Sequence, residues 1–130
     1  MDYYRGTETI LVVDDEESLR AVVGDLLGQL GYNVLSASGG DEAMALAAEY
    51  SGKIDLLLSD VIMEPVPGPA LAERLTAERP EMKVVFISGY ADDSLAPEGV
   101  LKPGTVLVHK PFTIKILSAK LREVLERPAV

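Results

Sequence analysis

The 130-residue chain contains no cysteine, which excludes disulfide frameworks, thiolate zinc sites and cysteine nucleophiles. It is also short of cationic residues: 12 Lys and Arg stand against 21 Asp and Glu, a formal net charge of −9. Nucleic-acid phosphates would meet repulsion from such a surface, and no local basic patch offsets it, so direct nucleic-acid binding is not expected. No uninterrupted apolar run approaches the roughly 18 residues that a membrane span needs. The opening Met1-Asp2-Tyr3-Tyr4-Arg5-Gly6 lacks the apolar stretch of a secretory signal. A cytoplasmic protein without membrane association is the expectation. What is present is an ordinary globular balance, 48% hydrophobic and 25% charged, at about one domain's length, so a single domain over 1–130 is expected.

Two kinds of apolar segment alternate. Ile10-Leu11-Val12-Val13, Ile54-Asp55-Leu56-Leu57-Leu58, Val84-Val85-Phe86-Ile87 and Val106-Leu107-Val108 are short, nearly continuous runs, as strands covered on both faces should be. Asn33-Val34-Leu35-Ser36-Ala37 is a weaker fifth. Leu19, Val22, Val23, Leu26, Leu27 and Leu30 recur at helical spacing and predict one amphipathic helix ended by Gly31. Further helices are predicted from Asp41 to Tyr50, from Pro69 to Glu78, and after Thr113, a favourable N-cap, through Ile114, Leu117, Leu121, Val124 and Leu125. Between Tyr90 and Thr105, Pro97, Gly99, Pro103 and Gly104 leave room for little more than a turn or two, a degenerate fourth helix. The basic residues Lys115, Lys120, Arg122 and Arg127 of the last helix are read as its solvated face.

Strands alternating with helices predict an α/β fold: a doubly wound, five-stranded parallel sheet of flavodoxin-like order 2-1-3-4-5. In that order ligands bind beyond the carboxyl ends of strands one and three. Strand one ends in Asp14-Asp15-Glu16 and strand three in Ser59-Asp60, so three carboxylates converge there. Two like charges about 4 Å apart cost on the order of 4 kcal/mol at an effective dielectric of 20. Three ionised carboxylates therefore need a cation, and hard oxygen ligands suit Mg²⁺. Strand four ends in Ser88-Gly89 and strand five in His109-Lys110-Pro111-Phe112, which adds a hydroxyl and an ammonium to the same edge. An acceptor oxygen, a cation site and donors for equatorial oxygens are the parts that phosphoryl transfer requires.

The set Asp14-Asp15, Asp60, Ser88-Gly89-Tyr90 and Lys110-Pro111-Phe112 resembles the receiver domain of two-component response regulators, over a core of about Glu8 to Glu126. The runs Ser88-Gly89-Tyr90-Ala91-Asp92-Asp93 and Lys110-Pro111-Phe112-Thr113 are most similar to receivers attached to hybrid sensor histidine kinases. The resemblance implies a phosphorelay protein rather than an enzyme with a free substrate. Its only turnover would be Mg²⁺-dependent self-phosphorylation and autodephosphorylation. Asp60 would take the phosphoryl group from the phosphohistidine of a sensor histidine kinase or phosphotransfer protein. Asp15 would bind Mg²⁺ directly and Asp14 mainly through water, with the backbone carbonyl of Ile62 as a further ligand. Lys110 and Ser88 would bind phosphoryl oxygens, with Ser88 as the switch hydroxyl and small Gly89 leaving access. A cis bond is implied at Lys110-Pro111, where proline removes most of the usual penalty.

Three positions depart from the family pattern: Leu107 stands where an aromatic ring usually reports phosphorylation, Glu64 where proline usually follows the acceptor, and Pro97 and Pro103 interrupt the fourth helix. A monomer, or a dimer through another face, is therefore expected. Ile62 and Tyr90, two positions past the acceptor and the switch hydroxyl, are poorly suited to orienting a hydrolytic water, which predicts a long-lived aspartyl phosphate. Gly39-Gly40-Asp41-Glu42 copies a cyclic-dinucleotide cyclase motif but opens a predicted helix in a chain too short for that activity. His109 is the single histidine, and no metal role is expected of it.

Overall fold

The computed structural model describes residues 4–89 and 106–127. The strands are β1 (Thr9–Val13), β2 (Asn33–Ala37), β3 (Leu56–Asp60), β4 (Lys83–Ser88) and β5 (Val106–His109). The described helices are α1 (Glu17–Gln29), α2 (Gly40–Glu49), α3 (Gly68–Glu78) and α4 (Ile114–Leu125). The strands form one five-stranded sheet in the order β2-β1-β3-β4-β5, parallel throughout, as predicted. The predicted degenerate helix falls at 90–105, outside the described residues.

Strand alternation divides the core into two layers. Leu11, Val13, Leu57 and Phe86 face Ala43 and Ala47 of α2 and Leu71 and Leu75 of α3. Ile10, Val12, Leu56, Leu58, Val85 and Val108 face Val23 and Leu27 of α1 and Leu117, Leu121 and Val124 of α4. All five residues of β1 and of β3 are buried, which is why those strands read as unbroken apolar runs. The run beginning at Ile54 enters its strand two residues later than predicted. Ile54 is buried ahead of the strand, and Asp55 uses its carboxylate to accept the Thr9 N–H at 2.8 Å.

Helix ends follow local chemistry. Thr113 Oγ1 accepts the Ile116 N–H at 3.1 Å, the predicted N-cap. Gly31 follows α1 at φ 105°, and Tyr32 N–H reaches back to Leu27 O at 3.2 Å, closing the helix in the left-handed turn that glycine favours. Arg79 ends α2 from a distance, donating to the carbonyls of Ala47, Tyr50 and Gly52 at 2.8–2.9 Å.

Two predictions need correction. Helical spacing puts Val22 on the apolar face of α1, yet it is 54% exposed, at the rim of a groove with Leu19, Leu26 and Ile114. It lies five residues from Leu27, about 140° round the helix axis, outside the arc that Val23, Leu27 and Leu30 bury. Arg122 does not belong to a solvated face. Its Nη1 lies 2.7 Å from Glu8 Oε1 and 3.4 Å from the Tyr32 hydroxyl, and its Nε 3.0 Å from Glu126 Oε2. The pairing holds Glu8 below its ordinary carboxylate pKa although partial burial pushes the other way. Among the described residues, no helix is long and apolar enough to cross a membrane.

Candidate functional site

The carboxyl edge of the sheet gathers the predicted acids because β1 and β3 are adjacent and end level, Val13 pairing with Ser59. Asp14 and Asp60 are 2% and 7% exposed, and Asp15 faces solvent. One carboxylate oxygen from each of the three can be chosen so that all lie within 4.8 Å of one another. Asp14 is fixed by the turn into α1: its Oδ1 accepts the Glu16 N–H at 2.8 Å and its carbonyl accepts Arg20 Nη1 at 2.7 Å. Nothing in the sequence singles out Arg20 beyond its place in the first turn of the predicted helix. Asp14 Oδ2 is buried and has no hydrogen-bond partner among the described residues.

The opposite side of the pocket comes from β4 and β5. Ser88 is fully buried at the end of β4, and Lys110 N–H donates to its carbonyl at 2.7 Å. The Lys110-Pro111 peptide is cis, and Lys110 Nζ lies 3.6 Å from Asp60 Oδ2. A second cis bond, Glu64-Pro65, lies in the β3–α3 loop and had no forecast in the sequence. A Cβ added to Gly89 would sit at an ordinary 3.7 Å from Lys110 Cδ, so a methyl group fits there.

Burial raises the pKa of both inner acids. Asp14 is pushed up by desolvation and by neighbouring Asp15 and Glu16, against the Glu16 N–H and Lys110, which favour its charge. Asp60 is raised to about 6, first by desolvation and then by Asp14 and Asp15, with Lys110 and the Ile62 N–H opposing. One ammonium therefore does not neutralise the cluster. A partnerless buried carboxylate oxygen beside two more carboxylates fits a hard divalent cation such as Mg²⁺.

The structure thus brings together Asp14, Asp15, Asp60 and Lys110, with Ser88 and Gly89 on the next strand end. Ile62 follows Asp60 with its side chain 43% exposed. Pro111 is exposed. Leu107 sits deeper in β5, partly buried against the core layer that contains Phe86. His109 is exposed. Tyr90 lies outside the described residues.

Comparison with known proteins agrees with this geometry. The response regulator receiver domain family matches residues 10–122. The sensor kinase CckA of Brucella abortus is 35% identical over 122 residues, covering 94% of this chain and 13% of the kinase. The probable transcriptional regulatory protein TcrX of Mycobacterium tuberculosis is 32% identical, over 94% of this chain and 51% of that protein. The chain thus spans a small part of the first relative and about half of the second. The crystal structure of the receiver domain from the hybrid histidine kinase CckA superposes with a TM-score of 0.76 at 38% identity, covering 91% of this chain and 99% of that one. A sheet of this order, an acidic pocket at its carboxyl edge and a family match across nearly the whole chain place it in one group: it belongs to the response regulator receiver domains, the phosphoacceptors of two-component signalling.

Proposed function

We propose that Asp60 is the phosphoacceptor. A carboxylate oxygen of Asp60 attacks the phosphorus of a phosphohistidine on a sensor histidine kinase or phosphotransfer protein. The P–N bond breaks, its electron pair stays with the imidazole, and an aspartyl phosphate forms. Lys110 pairs with one phosphoryl oxygen and the Ser88 hydroxyl donates to another, so charge spread over the equatorial oxygens meets a fixed cation and a fixed donor. Asp14 and Asp15, with Asp60 and the Ile62 carbonyl, would hold Mg²⁺, which supplies charge neutralisation between acceptor and phosphoryl group. Gly89 leaves the approach open. Autodephosphorylation would reverse the modification with water as the acceptor.

The observation that carries this reading is Asp60 itself: a buried carboxylate with Lys110 at 3.6 Å on one side and two further acids on the other. An aspartate-nucleophile phosphohydrolase would place nucleophile and acid on one strand as Asp-x-Asp, whereas here Asp14 and Asp15 are adjacent and Asp60 stands alone on β3. An interaction module that is never phosphorylated would have no use for Lys110 and Ser88 beside the acid. Mass spectrometry after treatment with acetyl phosphate and Mg²⁺ tests the proposal. A single phosphoryl group that is absent in Asp60→Asn is expected. Full labelling of that variant refutes the assignment, and turnover of small phosphate esters favours the hydrolase.

A further inference from the structure

The backbone carbonyl of Asp60 is bonded by one neighbour and closely packed by another. Ser59, fully buried, turns its hydroxyl forward to donate to the Asp60 carbonyl oxygen at 2.9 Å. From the other direction Gly68, the first residue of α3, closes on the same peptide group. A Cβ at Gly68 would fall inside contact distance of the Asp60 carbonyl oxygen, 3.1 Å from the carbonyl carbon and 3.2 Å from Val61 Cα. Gly68 N–H also donates to Val61 O at 3.0 Å. Among the described residues only Gly31 has positive φ, so space rather than backbone conformation demands glycine at 68.

We propose that Ser59 and Gly68 are positioning residues for phosphoryl transfer, an inference that rests on Asp60 being the acceptor. Asp60 is the last residue of β3, and the peptide that follows it is tied to β4 on its N–H side only, by Val61 N–H donating to Ile87 O at 3.0 Å. The Ser59 hydroxyl and the close-packed Gly68 backbone hold the opposite, carbonyl side, so that together with the β4 bond they fix the plane of that peptide. That plane sets the direction of the chain into Val61 and Ile62, and the Ile62 N–H in turn holds the Asp60 carboxylate. Loosening the carbonyl therefore releases the acceptor oxygen from its line of attack without removing any group that touches the phosphoryl donor. Misplacement by about 1 Å costs on the order of 100-fold in a reaction that depends on in-line approach.

The test is the rate of phosphorylation of the whole chain by acetyl phosphate, measured against Mg²⁺ concentration well below the melting temperature. Ser59→Ala removes one hydrogen bond at nearly constant volume and should lower the maximal rate, taken at saturating Mg²⁺, by roughly 3–10-fold. Gly68→Ala should lower it by about 10-fold or more. Gly31→Ala is the control for lost stability: its Cβ would collide with the Gly6 carbonyl at the far edge of the sheet, and its maximal rate should equal that of the wild type. If Gly68→Ala does not fold, Ser59→Ala decides alone. A wild-type rate in Ser59→Ala, or an equal slowing in Gly31→Ala, overturns the inference. A wild-type chain that takes no phosphoryl group overturns the acceptor reading and the inference with it, whereas normal labelling in wild type and Ser59→Ala alike overturns the inference alone.

Discussion

Lys110 Nζ stands 3.6 Å from Asp60 Oδ2 although β4 lies between the strands that carry them. The long side chain crosses the end of β4, where Ser88 and Gly89 keep the ground low. At that separation the ammonium stabilises charge without closing a short hydrogen bond, so its proton is still available to an arriving oxygen. It offsets only part of the charge: Asp60 remains raised to about 6.

That imbalance predicts an inverted pH dependence for the metal-free protein. A folded carboxyl pKa raised from 3.8 to about 6 means that the folded state keeps a proton the unfolded chain has released. Asp60 therefore reduces stability as pH rises from about 4 through 6. Asp60→Asn should be more stable than wild type at pH 8 in chelator, by on the order of 2–3 kcal/mol, and the two should converge near pH 4. Urea midpoints at the two pH values check this; a variant less stable than wild type at pH 8 would contradict it.

Mg²⁺ should raise the melting temperature, because it relieves repulsion among Asp14, Asp15 and Asp60 and binds the folded chain only. At a concentration 100 times its dissociation constant the gain is about 2.7 kcal/mol, roughly 10 °C for a domain of this size. Asp15→Asn should remove most of the shift. Differential scanning calorimetry with and without Mg²⁺ reads it directly.

Ile62 offers no hydrogen bond to a water approaching the aspartyl phosphate. Ile62→Asn should therefore shorten the lifetime of the phosphorylated protein several-fold, as followed by loss of label after the donor is removed. An unchanged or longer lifetime would speak against this role of the side chain.

Arg122→Ala should cost about 1–3 kcal/mol, since it strips Glu8 and the Tyr32 hydroxyl of a charged partner. Glu8 has a depressed pKa, so its contribution is present above its ordinary titration range and is lost as pH falls through the folded value. The variant's deficit should accordingly narrow in acid. Labelling at Asp60 should be unaffected, which chemical denaturation and a phosphorylation assay on one preparation establish together.

Leu107 packs against the core layer containing Phe86 and has no polar tip to follow Ser88 when the phosphoryl group arrives. The chain should stay monomeric when a stable phosphate mimic binds, or pair through a face other than β4, β5 and α4. Light scattering with and without the mimic distinguishes these from a dimer through that face.

The architecture was legible because β1 and β3 are covered on both sides and their apolar runs leave no other assignment. The acids were legible because topology alone brings Asp14, Asp15 and Asp60 to one edge. What escaped was whatever depends on distance across the fold. Glu8 and Arg122 are 114 positions apart, so no local pattern pairs them. Val22 obeys helical spacing and is still exposed, since periodicity gives the arc of a helix but not the part of it a neighbour covers. Ser59 and Gly68 look like an ordinary strand residue and an ordinary helix start until the Asp60 carbonyl is seen between them.

The Glu8–Arg122 pair, the Gly31 turn and the Arg79 guanidinium all lie at the amino-terminal edge of the sheet, opposite the acids. The molecule therefore has a fastened rim and a working rim. The long-range ties between elements far apart in sequence, Glu8 with Arg122 and Arg79 with the end of α2, sit at the rim away from the crowded charge. Changes of specificity around Asp60 can accumulate on such a scaffold while the opposite rim keeps its stability in reserve.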